Sequence, residues 1–251
     1  MNSRETQYSA GRPPKPAWLK LVSFLVLLGA IAGCLWMISQ ESAWGGGKLL
    51  HYGLRVAMIA LCLVGWFWTQ AMIGSRTLKD GAITDGLHEL FVPLHRWLLG
   101  RPKAANGVLI VSSAFIDLFG IFLILYSVFG PSVRPFVALL ILFIFRQVCQ
   151  GLCALPVPKD MIWRNPGFPS LLVTYGTSTD FFFSGHTAIA VLGAIELAKI
   201  SPWLGLAGGI VAFLEAFVVI VLRAHYTMDV LGALAAVACA VGLADVVCRF
   251  L

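Results

Sequence analysis

Apolar residues run in seven long blocks, at 19–39, 53–73, 107–129, 135–154, 184–200, 203–222 and 228–248, each bounded by glycine, proline or charge. An α-helix rises about 1.5 Å per residue, so about 20 apolar residues cross the hydrocarbon core of a bilayer. That core holds no water to satisfy backbone N–H and C=O groups, so each block predicts a helix. Gly45-Gly46-Gly47 separates the first two blocks, Gly130-Pro131 makes a tight turn between the third and fourth, and Ser201-Pro202 divides the fifth from the sixth. The pattern predicts an all-α, polytopic transmembrane helical bundle.

Two longer connections break the rhythm. Residues 74–106 place Leu87, Leu90, Phe91, Leu94, Trp97 and Leu98 at helical spacing, with His88, His95 and Arg96 between them. This predicts an amphipathic helix lying at the membrane surface and bent at Pro93. Residues 155–183 carry Pro156, Pro158, Pro166, Gly167 and Pro169, which predicts an irregular loop beside any site on that face. Residues 1–18 are polar, contain Pro13, Pro14 and Pro16, and read as a flexible terminus. The block from Leu19 is too long for a signal-peptide core, and no clear small-x-small cleavage site follows, so it reads as an uncleaved first span. One membrane domain, 19–251 with a core of about 53–248, accounts for the rest.

Composition agrees. Of 251 residues, 59% are hydrophobic and 12% charged, against about 25% charged in soluble domains. The net charge of +6 is scattered among short loops and block ends. No basic helix or aromatic-basic ladder is present, which argues against a nucleic-acid partner. Basic loops fit membrane topology and anionic lipid. All six cysteines lie within or at the ends of apolar runs and read as small buried hydrophobes, and no His/Cys set suits a metal.

Against this background, Ser184-Gly185-His186-Thr187 opens the fifth block, and Arg223-Ala224-His225-Tyr226-Thr227-Met228-Asp229 joins the sixth to the seventh. A helical hairpin turning at 201–202 returns His225 to the membrane face that carries His186. Asp229 lies four residues beyond His225, a helical neighbour. A carboxylate there can accept the proton of one imidazole nitrogen and leave the other as a nucleophile. Such a nucleophile suits in-line attack on a phosphodiester, with the second histidine moving the proton of the leaving or entering hydroxyl. Charge on the phosphoryl oxygens calls for cations, for which Arg223, Arg146, Lys159 and Arg164 are candidates, with Ser184, Thr187 and the helix N-terminus as neutral donors. This chemistry requires no metal or cofactor. Ionisable groups placed so deep in an apolar chain point to function rather than anchoring.

These motifs resemble the type 2 phosphatidic acid phosphatase superfamily. They are most similar to its sphingomyelin synthase and plant phosphatidylcholine:diacylglycerol cholinephosphotransferase branch. The resemblance covers roughly 85–248 and rests on Phe183-Ser184-Gly185-His186, His225-Tyr226-Thr227-Met228-Asp229, and Arg146 ten residues before Pro156-Val157-Pro158. Asp180 matches an Asp of the sphingomyelin synthases, and Arg223 matches the plant transferases. The phosphatases' Lys-x6-Arg-Pro motif is missing, and Val219 stands where they carry an arginine. The resemblance implies a six-span core preceded by one extra span, with His225 as nucleophile, Asp229 as its orienting partner and His186 as acid/base. It implies a membrane phospholipid donor and a lipid-hydroxyl acceptor, diacylglycerol or ceramide, with water the alternative acceptor. A transporter or scaffold that merely keeps the fold is the non-enzymatic alternative.

Depth arithmetic adds one expectation. Asp117, Arg146 and Glu215 each fall about 15 Å below the site face. Either Arg146 pairs with one of the acids, or it turns up toward the lipid phosphate. Glu196 and Asp245 fall nearer the opposite face and read as interfacial charges. The site shares its membrane side with most of the Lys and Arg residues, which points to the cytoplasm. The resemblance points to the exoplasmic or lumenal side, and the side stays open.

Overall fold

A computed structural model describes residues 48–73, 83, 85–175 and 181–250. The terminus 1–18, the predicted span 19–39 and Asp180 lie outside the described residues. The described chain forms α1 (Lys48–Ile73), α2 (Gly86–Leu90), α3 (Val92–Leu99), α4 (Pro102–Phe129), α5 (Arg134–Leu152), α6 (Gly185–Ile200), α7 (Pro202–Val221) and α8 (Thr227–Val247). Pro93, Pro102, Pro135 and Pro202 each sit in the first turn of their helix, where a missing N–H costs nothing.

Among the described residues, five helices are long and apolar enough to cross a membrane: Tyr52–Ala71 within α1, then α4, α5, α7 and α8. The protein is a helical membrane bundle. The expected fifth span differs. The α6 helix has 16 residues, about 24 Å of helix against a hydrocarbon core of about 30 Å. Ser184 starts it and Ser201-Pro202 stops it. Much of it is buried among its neighbours, from His186 to Glu196.

Small residues set the closest approach, between α6 and α7. A Cβ on Gly205 would stand 2.5 Å from the Ala198 Cβ, and one on Gly208 would stand 2.9 Å from the Ala194 Cα. Gly193 gives room to the ring of Phe119 on α4. Without a hydrophobic drive between helices in lipid, such close contacts hold the pair together. At the end away from the histidines, Arg134 binds both Glu196 and Asp245, and Lys199 also reaches Glu196 at 3.0 Å. Glu196 is therefore a buried partner of an ion network joining α5, α6 and α8, not an interfacial charge.

The surface segment is two helices rather than one bent helix, broken at Phe91, with Pro93 opening the second. Its orientation is the reverse of a soluble helix. His88, His95 and Leu98 are buried against the bundle, while Leu87, Leu90, Leu94 and Trp97 face outward. Those outward apolar residues suit the lipid interface. Of the cysteines, Cys62 is buried, Cys149 and Cys248 are half-buried, and Cys153 and Cys239 are exposed. Cys34 lies outside the described residues, and for the other five the reading as buried hydrophobes holds only in part.

Candidate active site

The turn 222–226 between α7 and α8 is built to present one ring. Arg223 adopts a left-handed backbone, φ 54°, a conformation costly for a non-glycine residue and held only by surrounding contacts. The contacts are present: Ile162 N–H donates to Leu222 O at 2.8 Å, and the N–H groups of Ala224 and His225 both turn back to Val219 O. Asp229 then lies in the first turn of α8, where a carboxylate is favoured. Its Oδ2 accepts the Tyr226 N–H at 2.9 Å and meets His225 Nδ1 at 3.3 Å. The Asp229 carboxylate is fully buried. Ser184 N–H donates to Asp229 O at 3.0 Å, locking the start of α6 to the start of α8.

His186, His225 and Arg146 line one cavity, walled by Trp66, Phe143, Trp163 and Phe181 among others. The Trp163 ring stands edge-on to His186, with centroids 5.2 Å apart. Among the described residues, His186 Nε2 has no hydrogen-bond partner. Arg146 donates from Nε to Phe183 O and from one terminal nitrogen to Gln70 Oε1, both at 3.1 Å. Gly185 lets the guanidinium approach the N-terminus of α6: a Cβ there would lie 3.4 Å from Arg146 Nε. A cation, a helix N-terminus and two imidazoles around one cavity can hold a phosphoryl group and move its protons.

Other sequence-predicted residues sit differently. Ser184 Oγ caps α6, accepting Thr187 N–H at 3.3 Å and Thr187 Oγ at 3.1 Å, so both side chains are engaged in the cap. Arg223 lies outside the cavity lining. It donates to Lys159 O at 3.0 Å and stands 3.7 Å from Asp160, clamping the turn to the 155–175 loop. Arg164 is bound to Asn106 and Pro102 O on the exposed side, and the Lys159 side chain is exposed. The Tyr226 hydroxyl donates to Pro156 O at 3.0 Å.

The expected pairing of Arg146 with Asp117 or Glu215 does not form. Asp117 instead binds the Ser170 hydroxyl and the N–H groups of Leu171 and Leu172, pinning the loop to α4. Glu215 accepts the Ser112 hydroxyl at 2.6 Å. Arg146 instead lines the cavity beside His186 and His225.

Sequence reasoning missed Asp85, His88 and His95. Asp85 binds four donors: Leu87 N–H, His88 N–H, Thr227 N–H at 2.6 Å and the Thr227 hydroxyl at 2.7 Å. Burial alone would raise its pKa, but the bonds from Thr227 and the neighbouring backbone carry it below the usual carboxylate range. His88 Nε2 donates to His225 O, and His95 Nδ1 donates to Val221 O, each at 2.8 Å. Two histidines one helical face apart, inside an otherwise apolar surface pattern, were the available signal.

A family model described as AtPDCT1/2 matches residues 86–246, more than half of the chain. No curated protein and no solved structure matches. The matched stretch contains His186, His225, Asp229 and Arg146, the residues gathered at the cavity and its carboxylate. The chain is an integral membrane protein that belongs to the AtPDCT1/2 family, the phosphatidylcholine:diacylglycerol cholinephosphotransferases.

Proposed function

We propose that this protein transfers phosphocholine from phosphatidylcholine to the hydroxyl of diacylglycerol or ceramide, through a phosphohistidine on His225. In this reading it shares the type 2 phosphatidic acid phosphatase chemistry. The observation that carries it is the hydrogen bond between His225 Nδ1 and the buried Asp229 Oδ2, at a cavity that also holds His186 and Arg146.

With Nδ1–H donated to Asp229, His225 Nε2 keeps its lone pair. Nε2 attacks phosphorus, the P–O bond to the glycerol breaks, and phosphocholine stays on the nitrogen. The departing alkoxide takes a proton from His186 and leaves as diacylglycerol. In the second half, the acceptor hydroxyl gives its proton to His186 and its oxygen attacks phosphorus. The P–N bond breaks, and His225 returns to its starting form with both histidines as they began. Arg146 and the N–H groups opening α6 face the charge that builds on the phosphoryl oxygens.

Purified protein incubated with headgroup-labelled phosphatidylcholine, with and without diacylglycerol or ceramide, tests this directly. Label on the acceptor lipid supports transfer. Free phosphocholine alone means that water is the acceptor, and no release from any donor refutes the reading.

A further inference from the structure

The helix α1 precedes the stretch 86–246 that the family match covers, yet it reaches the histidine cavity. Trp66 lines the cavity, and its ring stacks on Phe143 of α5, 4.7 Å apart and 6° from parallel. One turn further along each helix, Gln70 meets Arg146 and Gln147. The neighbouring Thr69 hydroxyl turns back on its own helix and donates to Trp66 O at 2.9 Å. At this level Gln70 is the side chain that carries a hydrogen bond from α1 to α5.

The Gln70 amide is fixed in direction. A terminal N–H of Arg146 and the amide N–H of Gln147 donate to the same Oε1, at 3.1 and 3.3 Å. A guanidinium carries donors only, so the oxygen end of the amide must face it. All three side chains are buried, and a hydrogen bond to a charged group is strong away from bulk water. Phe183 O accepts from Arg146 Nε at 3.1 Å. Two acceptors on different nitrogens fix the plane of the fork, which one alone cannot do. Both are neutral oxygens, so they direct the cation and add no negative charge beside it. That suits a group that is to meet phosphoryl oxygens.

We infer that Gln70 is a positioning residue for the reaction: it holds the Arg146 guanidinium at the cavity and acts on the lipid phosphate through it. The helix α1 is thereby a working part of the site, supplying a residue that the family match does not cover. The inference deepens the transfer reading and rests on it for the identity of the phosphate.

The test uses the full chain in detergent micelles, with calorimetric binding of orthovanadate as a phosphoryl probe beside turnover of headgroup-labelled phosphatidylcholine. Gln70→Leu, close in size but without the acceptor, should weaken orthovanadate about tenfold and lower kcat/KM for phosphatidylcholine about tenfold, with the unfolding midpoint little changed. Gln70→Glu keeps an acceptor oxygen and adds a charge that neutralises Arg146, so it should weaken orthovanadate at least as much. This variant also carries the contrast if Gln70→Leu does not fold. In an Arg146→Met background, Gln70→Leu should cost less than a further twofold, because the two residues act as one unit. Four results would overturn the inference: Gln70→Leu within twofold of wild type in both readouts, Gln70→Glu binding orthovanadate as wild type does, a full tenfold loss from Gln70→Leu in the Arg146→Met background, or wild type binding orthovanadate no better than Arg146→Met. Weakened orthovanadate binding by Gln70→Leu in a protein that transfers no headgroup from any donor supports the positioning role and refutes the transfer reading, so the two failures are distinguishable.

Discussion

The ring of His88 donates a hydrogen bond to the backbone carbonyl of His225 at 2.8 Å, across 137 residues of sequence. Three residues before His88, Asp85 binds both the N–H and the hydroxyl of Thr227, two residues beyond His225. The surface helices α2 and α3 are thereby fastened to the segment that presents His225, and their outward leucines and Trp97 suit the lipid. The surface helices and the turn that carries His225 share one connection.

That connection predicts a rate effect. Asp85→Ala removes the acceptor of two Thr227 bonds, and bonds to a charged group contribute about 1.5–3 kcal/mol each. The turnover number should fall about ten- to a hundredfold, and amide exchange at 222–229 should quicken. Asp85→Asn should recover part of the loss. Turnover within twofold of wild type in Asp85→Ala would remove the positioning role.

Acid should loosen the same connection through His95. Burial lowers the pKa of this histidine, the bond to Val221 O opposes that, Arg223 adds to the lowering, and Asp160 opposes it. A histidine with a depressed folded pKa contributes stability that is present above about 6.5, its unfolded value, and lost as pH falls toward the folded one. Amide protection in 92–99 should therefore drop between pH 7 and pH 5. In His95→Gln that pH step should vanish, and a step of the same size in the variant would assign it to another group.

Arg146 faces the cavity with its guanidinium held by Phe183 O and Gln70. Lysine cannot reproduce a planar fork bound at two points. Arg146→Lys should lower kcat/KM by about ten- to a hundredfold, with the folded protein intact by thermal unfolding. Near-normal kcat/KM in the lysine variant would show that charge alone suffices there.

Packing between α6 and α7 is the stability counterpart. Gly205→Val would drive a side chain into the backbone of Ala198, 2.7 Å from where the Cβ must stand. Overpacking of this kind costs about 1–3 kcal/mol. The unfolding midpoint in nanodiscs should fall clearly, while Gly209→Ala, whose Cβ meets nothing within 4 Å, should leave it within a degree or two.

The legible and illegible parts of this molecule divide by distance along the chain. Apolar blocks gave the helices, and the 184–225 hairpin brought His186 and His225 to one cavity because each end is marked by a short polar motif. Asp229 was readable because i and i+4 are neighbours on a helix. His88 was not, since its partner is a backbone carbonyl 137 residues away that carries no side-chain signature. The same reason hid His95 and the grip of Asp117 on 170–172. Depth arithmetic put Asp117, Arg146 and Glu215 near one level but could not say which way each helix face turned. Arg223 read as a phosphate ligand from its place beside His225, and the left-handed turn instead directs it to Lys159 O.

The most direct measurement is rapid acid-free quenching of the enzyme with headgroup-labelled phosphatidylcholine in the absence of acceptor, followed by peptide mapping. The account predicts one phosphocholine adduct per chain on the peptide containing His225, stable to base, labile to acid and discharged by diacylglycerol. His225→Gln should carry no adduct, and His186→Gln should form it slowly. Full headgroup transfer by His225→Gln, or an adduct mapped to any other residue, would contradict it.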